Sequence, residues 1–342
     1  MFPALLEKLN RRHDLTSDEA AGAMAEIIEG RAAPAHIAGL LIGLRMKGER
    51  PEEIVGLAKT MRAHAVKLSK TFEDVFDTCG TGGDRSNSFN VSSVTAVVVA
   101  ACGVRVAKHG NRSVSSRCGS ADLFEALGVQ ISATPAAVER CLDETGIAFF
   151  FAPTFHPSMR HAAQVRRDLG VGTAFNLLGP LTNPAGARRQ LVGVPRPELT
   201  EAVARSLALL GSERAWVVHA ADGLDEISTT GYTKVSECRG GVVNTFYIHP
   251  TEFGLPKADA GGLAGGDAKE NAAIARAVLN GESGAPRDIV RLNAAACLLV
   301  AGRAASIGEG LELAAEAIDG GRAATTLEAM TRVSRGAEGS AA

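Results

Sequence analysis

The chain has 342 residues, long enough to bury a substantial core without disulfides or structural metals. Its 36 Lys and Arg against 38 Asp and Glu leave a formal charge of −2, which argues against nucleic acid or an anionic membrane surface as partner. Six cysteines without a CxxC pair, a charged opening at 1–12, and a longest apolar run (95–107) broken by Gly103 and Arg105 predict a reduced cytoplasmic protein that neither crosses nor anchors to a membrane.

The first seventy residues predict short helices. Thr16 with Glu19 forms a capping box, Gly30 stops the apolar periodicity after Ile27 and Ile28, and Pro34 and Pro51 sit where first-turn prolines belong. After Lys70 the pattern alternates. Strands are expected at 72–77, 104–107, 147–152, 190–194 and 215–220, and helices at 91–102, 122–127, 136–145 and 198–210. The β-branched runs across 233–248, split by Gly240 and Gly241, read as a hairpin, and from Ala268 the chain is helical again, with a frayed tail past Arg335. The fold class is therefore α/β. A small all-helical N-terminal domain (1–70, joined by part of 155–190) precedes a larger α/β domain (71–335) with a mainly parallel central sheet.

Four stretches carry chemistry. GTGGD at 80–84 follows a strand and leads into NSFNVS at 87–92, which opens a helix. Glycines let consecutive amides approach an anion, and the helix start adds its positive dipole end. The run is neither a Walker A loop nor a dinucleotide fingerprint, and alone it also fits a plain turn. KHGNRSVSS at 108–116 ends the next strand, where ligands bind in open α/β sheets. Lys108 offers a point charge, Arg112 a planar fork, and Ser115 and Ser116 hydroxyls and amides. His109 alone reads as a local hydrogen-bonding residue. DGLDE at 222–226 places adjacent carboxylates at a strand end; in isolation it is an acidic surface turn, but beside two phosphate loops it fits a Mg²⁺ site. Finally, Arg166 and Arg167 on a helix precede an apolar, proline-punctuated loop at 175–184, a combination able to clamp a small aromatic acid or equally to face solvent.

In this order these motifs closely resemble the anthranilate phosphoribosyltransferases. FAPTFHPSMRH at 151–161, FNLLGPLTNPAG at 175–186, GGDAKENAAI at 265–274 and LNAAACLLVAG at 292–302 extend the likeness over nearly the whole chain. The KHGNRSVSS and FNLLGPLTNP runs are the specific ones, whereas GTGGD is shared with pyrimidine nucleoside phosphorylases. The resemblance implies a nucleoside phosphorylase/phosphoribosyltransferase-like fold and a homodimer formed through the helical domain. It implies transfer of the phosphoribosyl group of phosphoribosyl pyrophosphate to the amine of anthranilate, with Mg²⁺, in tryptophan biosynthesis. Carried over by position, Gly80, Thr81, Gly82, Gly83, Asp84, Asn90, Ser92, Thr95, Lys108, Ser115 and Ser116 fall to phosphoribosyl pyrophosphate. Gly80, His109, Asn111, Arg166 and Pro180 fall to anthranilate, and Ser92, Asp225 and Glu226 to the metal. Arg85, Cys118, Gln164 and Gly172 depart from the usual pattern, the last two on the anthranilate side. No covalent nucleophile or general base is assigned. A phosphorylase acting on a pyrimidine nucleoside, or a nucleic-acid-binding relative without activity, are the competing readings. The near-neutral charge and the intact motifs disfavour them.

Overall fold

The computed structural model describes residues 1–84, 86–113 and 117–336. The chain opens with α1 (Phe2–Asn10), α2 (Ser17–Ile28), α3 (Pro34–Lys47) and α4 (Pro51–Ala63). Their starts are written locally. Thr16 Oγ1 accepts the Glu19 N–H at 3.1 Å while the Glu19 carboxylate accepts the Thr16 N–H at 2.9 Å, and Pro34 and Pro51 occupy first turns. Glu53 is buried, but its charge is answered by Lys47 at 3.0 Å and by the Leu15 and Arg50 N–H groups at 2.8 Å.

The remainder alternates: β1 (Phe76–Gly80), α5 (Val91–Ala101), β2 (Val106–Gly110), α6 (Ser120–Leu127), α7 (Pro135–Thr145) and β3 (Ile147–Phe151). Then come α8 (Ala152–Phe155), α9 (Arg160–Leu169), α10 (Ala174–Leu181), β4 (Arg189–Gly193), α11 (Leu199–Leu209) and β5 (Arg214–Ala220). The hairpin β6 (Thr233–Arg239) and β7 (Val242–Ile248) follows, with α12 (Ala268–Leu279), α13 (Ala285–Ala301), α14 (Ile307–Asp319) and α15 (Arg322–Arg335) closing the chain. Among the described residues the sheet has the order β3-β2-β1-β4-β5-β6-β7, parallel through β5 and antiparallel in the hairpin. One face packs on α5, α7 and α13–α15 around Val97, Val98, Phe124 and Leu298. The other face, through Val192, Val194, Ala215 and Val217, shares a core with α1–α4 and with α9–α11.

Three expectations shift. The first strand starts at Phe76 rather than 72 and runs to Gly80, so the glycine loop begins inside the strand. The second runs from Val106 to Gly110, which puts Lys108 and His109 in the ladder instead of after it. The stretch 175–184, read as a loop, is mostly α10, with Pro180 in its last turn, where only one intrahelical bond is lost. No helix among the described residues is long and apolar enough to cross a membrane.

Candidate active site

β1 leads by crossovers to β2 on one side, while β4 lies on its other side, so the strand order reverses between β1 and β4. A crevice opens at such a switch point beyond the strand ends. Gly80 and Gly193 face each other there as the last ladder pair. Neither position has room for a side chain. A Cβ on Gly80 would collide with Asp225 Oδ2, and one on Gly193 with the Asp225 carbonyl oxygen. The loop is tied down next, Thr81 N–H donating to Gly193 O at 2.9 Å and Gly82 N–H to Asp225 Oδ2 at 3.1 Å. Gly82 and Gly83 then turn with φ of 66° and 85°, a region that disfavours other residues.

Glu226 is buried beside Asp225, and its Oε1 accepts the Ser92 N–H at 3.0 Å from the first turn of α5. Burial raises the pKa of both carboxyls, and the neighbouring charges of Asp84 on Asp225 and of Asp225 on Glu226 raise them further. The opposing cation is Lys108, only 2 % exposed, whose ammonium has no hydrogen bond or ion pair among the described residues. Thr95 lies one turn behind Ser92, fully buried, its hydroxyl without a partner among the described residues.

Two asparagines hold this assembly in place, and neither was singled out by motif reading. Asn293 Oδ1 accepts the Ile227 N–H at 3.0 Å while its Nδ2 donates to Ile227 O at 2.8 Å, gripping the residue after Glu226 as a strand would. Asn271 Oδ1 accepts the Gly266 N–H at 2.7 Å, and its Nδ2 donates to Asn90 Oδ1 at 2.9 Å. Asn90 in turn donates to Cys118 O at 3.0 Å, so its side chain also braces the loop. The available signal for Asn293 was an amide inside an otherwise apolar run, LNAAAC at 292–297, whereas Asn271 follows Lys269 and Glu270 and gave none.

Arg112 also departs from expectation. It is taken by Asp122 and Glu125 at 2.8 Å, and those carboxylates raise its pKa, so it is not a free fork for phosphate. Asn111 is exposed, with Oδ1 turned back to the Arg112 N–H at 2.8 Å. Ser115, Ser116 and Arg85 lie outside the described residues.

On the other side of the crevice, four consecutive carbonyls at the end of α10 are each held by a different element. His109 Nδ1 meets Gly179 O at 3.0 Å, Gln190 Nε2 meets Pro180 O at 2.7 Å, Arg62 Nε meets Leu181 O at 2.6 Å, and His156 Nε2 meets Thr182 O at 3.0 Å. A carbonyl can only accept, so each imidazole donates there and its other nitrogen is left as an acceptor. Those nitrogens, His109 Nε2 and His156 Nδ1, are buried without partners among the described residues. Burial, helped by the nearby His156, pushes His109 down to about 3, and burial pushes His156 down to about 4. On α9 Arg166 is half-buried and makes no hydrogen bond or ion pair among the described residues, whereas Arg167 is exposed and donates to Gln164 Oε1 at 2.6 Å. Gln164 also donates to Asp168, and Gly172 O accepts from Arg45.

The loop, Ser92, Lys108 and the two carboxylates thus converge. A model of the glycosyl transferase family helical bundle domain matches residues 3–65, and one of the glycosyl transferase family a/b domain matches 73–324. The anthranilate phosphoribosyltransferase of Moorella thermoacetica is 54% identical over 330 residues, covering 96% of this chain and 97% of its own. The chain belongs to the anthranilate phosphoribosyltransferases. The enzyme moves the phosphoribosyl group of phosphoribosyl pyrophosphate to the amine of anthranilate, a step of tryptophan biosynthesis. The anthranilate phosphoribosyltransferase of Thermus thermophilus superposes with a TM-score of 0.91 at 44% identity, over 96% of this chain and 99% of that one. The Saccharomyces cerevisiae enzyme in complex with PRPP and Mg gives 0.90 at 28% identity over 98% of both chains.

Proposed function

We propose that phosphoribosyl pyrophosphate lies across the β1/β4 switch point, with its pyrophosphate on the Gly80–Asp84 amides and the start of α5. The observation that carries this is the placement of half-buried Asp225 and buried Glu226 side by side against Gly80, Gly82 and Ser92, facing the unpaired Lys108. Asn90 and Thr95 support that wall from behind, and Ser115 and Ser116 complete it by the family's pattern.

The residues fit Mg²⁺. The donor set is oxygen only, namely two carboxylates and the Ser92 hydroxyl, and burial makes both carboxylates costly to ionise without a cation. Among the described residues no group of three or more His, Cys, Asp or Glu could hold a metal ion, so a bound Mg²⁺ would need water and substrate phosphate for its remaining oxygens. When bound, Mg²⁺ neutralises charge on the leaving pyrophosphate. Lys108 and the loop amides add to that stabilisation where charge grows, at the transition state.

Anthranilate's amine is already neutral at pH 7, so orientation matters more than deprotonation. Arg166, the unpaired guanidinium on α9, takes its carboxylate and turns the amine toward the ribose. Neutral His109, with Asn111, Gly80 and Pro180, lines the acceptor channel. Two copies associate through the helical unit (1–70 with part of 155–190), a reading supported by the exposure of Met1 and Met46 on that unit. All six cysteines are free, which supports work in the cytoplasm. Fluorescence of anthranilate should fall on adding phosphoribosyl pyrophosphate with Mg²⁺ and persist with chelator; full turnover in chelator would remove the metal from the scheme.

A further inference from the structure

Between β1 and β2 the sheet parts on the side of the site. β1 pairs with β4 from Phe76–Arg189 through Gly80–Gly193, and β2 pairs with β3 from Val106–Ile147 through Gly110–Phe151. Yet β1 and β2 are matched at Phe76–Val106 alone among the described residues. Unanswered main-chain groups inside a buried sheet are costly, so something must replace the missing ladder. Two side chains do. Asn183 Nδ2 donates to Ala107 O at 2.8 Å, and Asp77 Oδ1 accepts the His109 N–H at 3.2 Å.

Both are placed for this. Asp77 is 0 % and Asn183 6 % exposed, and Asn183 is oriented by the Ala185 N–H on its Oδ1 at 2.9 Å. Asp77 Oδ2 is occupied by the Cys79 thiol at 3.4 Å. Lys108 stands between the two braced residues, so its main chain is fixed from both flanks. A ladder that continued would draw β2 to the usual spacing of about 4.8 Å along its length and carry Lys108 and His109 with it.

We propose that Asp77 and Asn183 are positioning residues: they wedge β2 from β1 so that the Lys108 ammonium reaches the pyrophosphate while His109 keeps its bond to Gly179 O. The inference rests on reading Lys108 as a phosphate ligand. Displacement by about 1 Å at a reacting centre costs about a hundredfold in rate.

The experiment is steady-state kinetics on Asp77→Ala, Asp77→Asn, Asn183→Ala and Lys108→Ala, each checked for a cooperative melt. Asp77→Ala and Asn183→Ala should lose roughly 10- to 100-fold in kcat/KM for phosphoribosyl pyrophosphate. Asp77→Asn, which keeps an oxygen for the His109 N–H, should recover at least a tenfold part of that loss. If Asp77→Ala fails to fold, Asn183→Ala and Asp77→Asn carry the test. A folded Asp77→Ala or Asn183→Ala with near wild-type kcat/KM beside a crippled Lys108→Ala overturns the wedge alone. Asp77→Asn as impaired as Asp77→Ala overturns it in favour of a charge effect. A silent Lys108→Ala overturns the reading of the phosphate site beneath it.

Discussion

The two sides of the crevice differ in how their groups are held. At the switch point Gly80 and Gly193 admit no side chain, Asp225 is fastened to Gly82, Glu226 to Ser92, and Asn293 grips the next residue. On the other side the bonds go to the carbonyls of α10, and Arg166 on α9, the proposed anchor for the acceptor, is left without a partner among the described residues. A rigid cradle suits a highly charged leaving group whose stabilisation depends on preorganised donors. A single unpaired guanidinium suits a small planar acid that needs one anchor and an orientation. The two sides should therefore fail separately: damage to the cradle should fall on the donor and the chemical step, damage to α9 on the acceptor.

The largest effect is expected where the cradle's charge is removed. Asp225→Ala with Glu226→Ala should lower kcat by about a thousandfold or more, since metal and oxygen-charge stabilisation go together. The double variant should still melt cooperatively, although it leaves the buried Lys108 without its opposing carboxylates. Loss of the cooperative melt together with activity would make the pair structural. Gly80→Ala comes next. Its methyl must displace the Asp225 carboxylate, so kcat/KM for phosphoribosyl pyrophosphate should drop by about a hundredfold, with KM for anthranilate little altered. Gly82→Ala is the milder companion: its Cβ meets open space, and the cost lies in a φ of 66°.

Arg166→Ala should raise KM for anthranilate by about 10- to 100-fold, the equivalent of about 1.4–3 kcal/mol, and leave the donor's KM nearly unchanged. Arg167→Ala, exposed and bonded to Gln164, serves as control. The smallest effect is on stability. His109 and His156 stay neutral when folded, near 3 and 4, whereas an unfolded histidine takes a proton near 6.5. Their stabilisation is complete above pH 6.5 and declines as pH falls toward 4, by about 1.4 kcal/mol per unit for each. His156→Gln, which keeps an N–H for Thr182 O, should remove about half of that slope in denaturant titrations; an unchanged slope would place the protonation elsewhere.

The motifs were legible in combination: glycines ending a strand and paired acids after another each fit a plain turn alone, and beside cations among Asn and Ser they fit a phosphate and metal site. Their elements were less so. Asp77 and Gly80 are poor strand formers, yet pairing with β4 carries them into the ladder, and pairing with β3 likewise keeps Lys108 and His109 in β2. Pro180 reads as a helix breaker, but it sits in the last turn, and its carbonyl is taken by Gln190. Arg112 looked free because its partners Asp122 and Glu125 lie on α6, a distance no local pattern shows. Asn271 and Asn293 escaped notice for the same reason.

The division between a metal-dependent donor cradle and an arginine-anchored acceptor side is tested most directly by calorimetric binding of phosphoribosyl pyrophosphate to wild-type enzyme, Glu226→Gln and Arg166→Ala. Wild-type binding should require Mg²⁺, Glu226→Gln should lose it, and Arg166→Ala should bind the donor as tightly as wild type. Equal losses in both variants, or full binding by Glu226→Gln, would contradict the account.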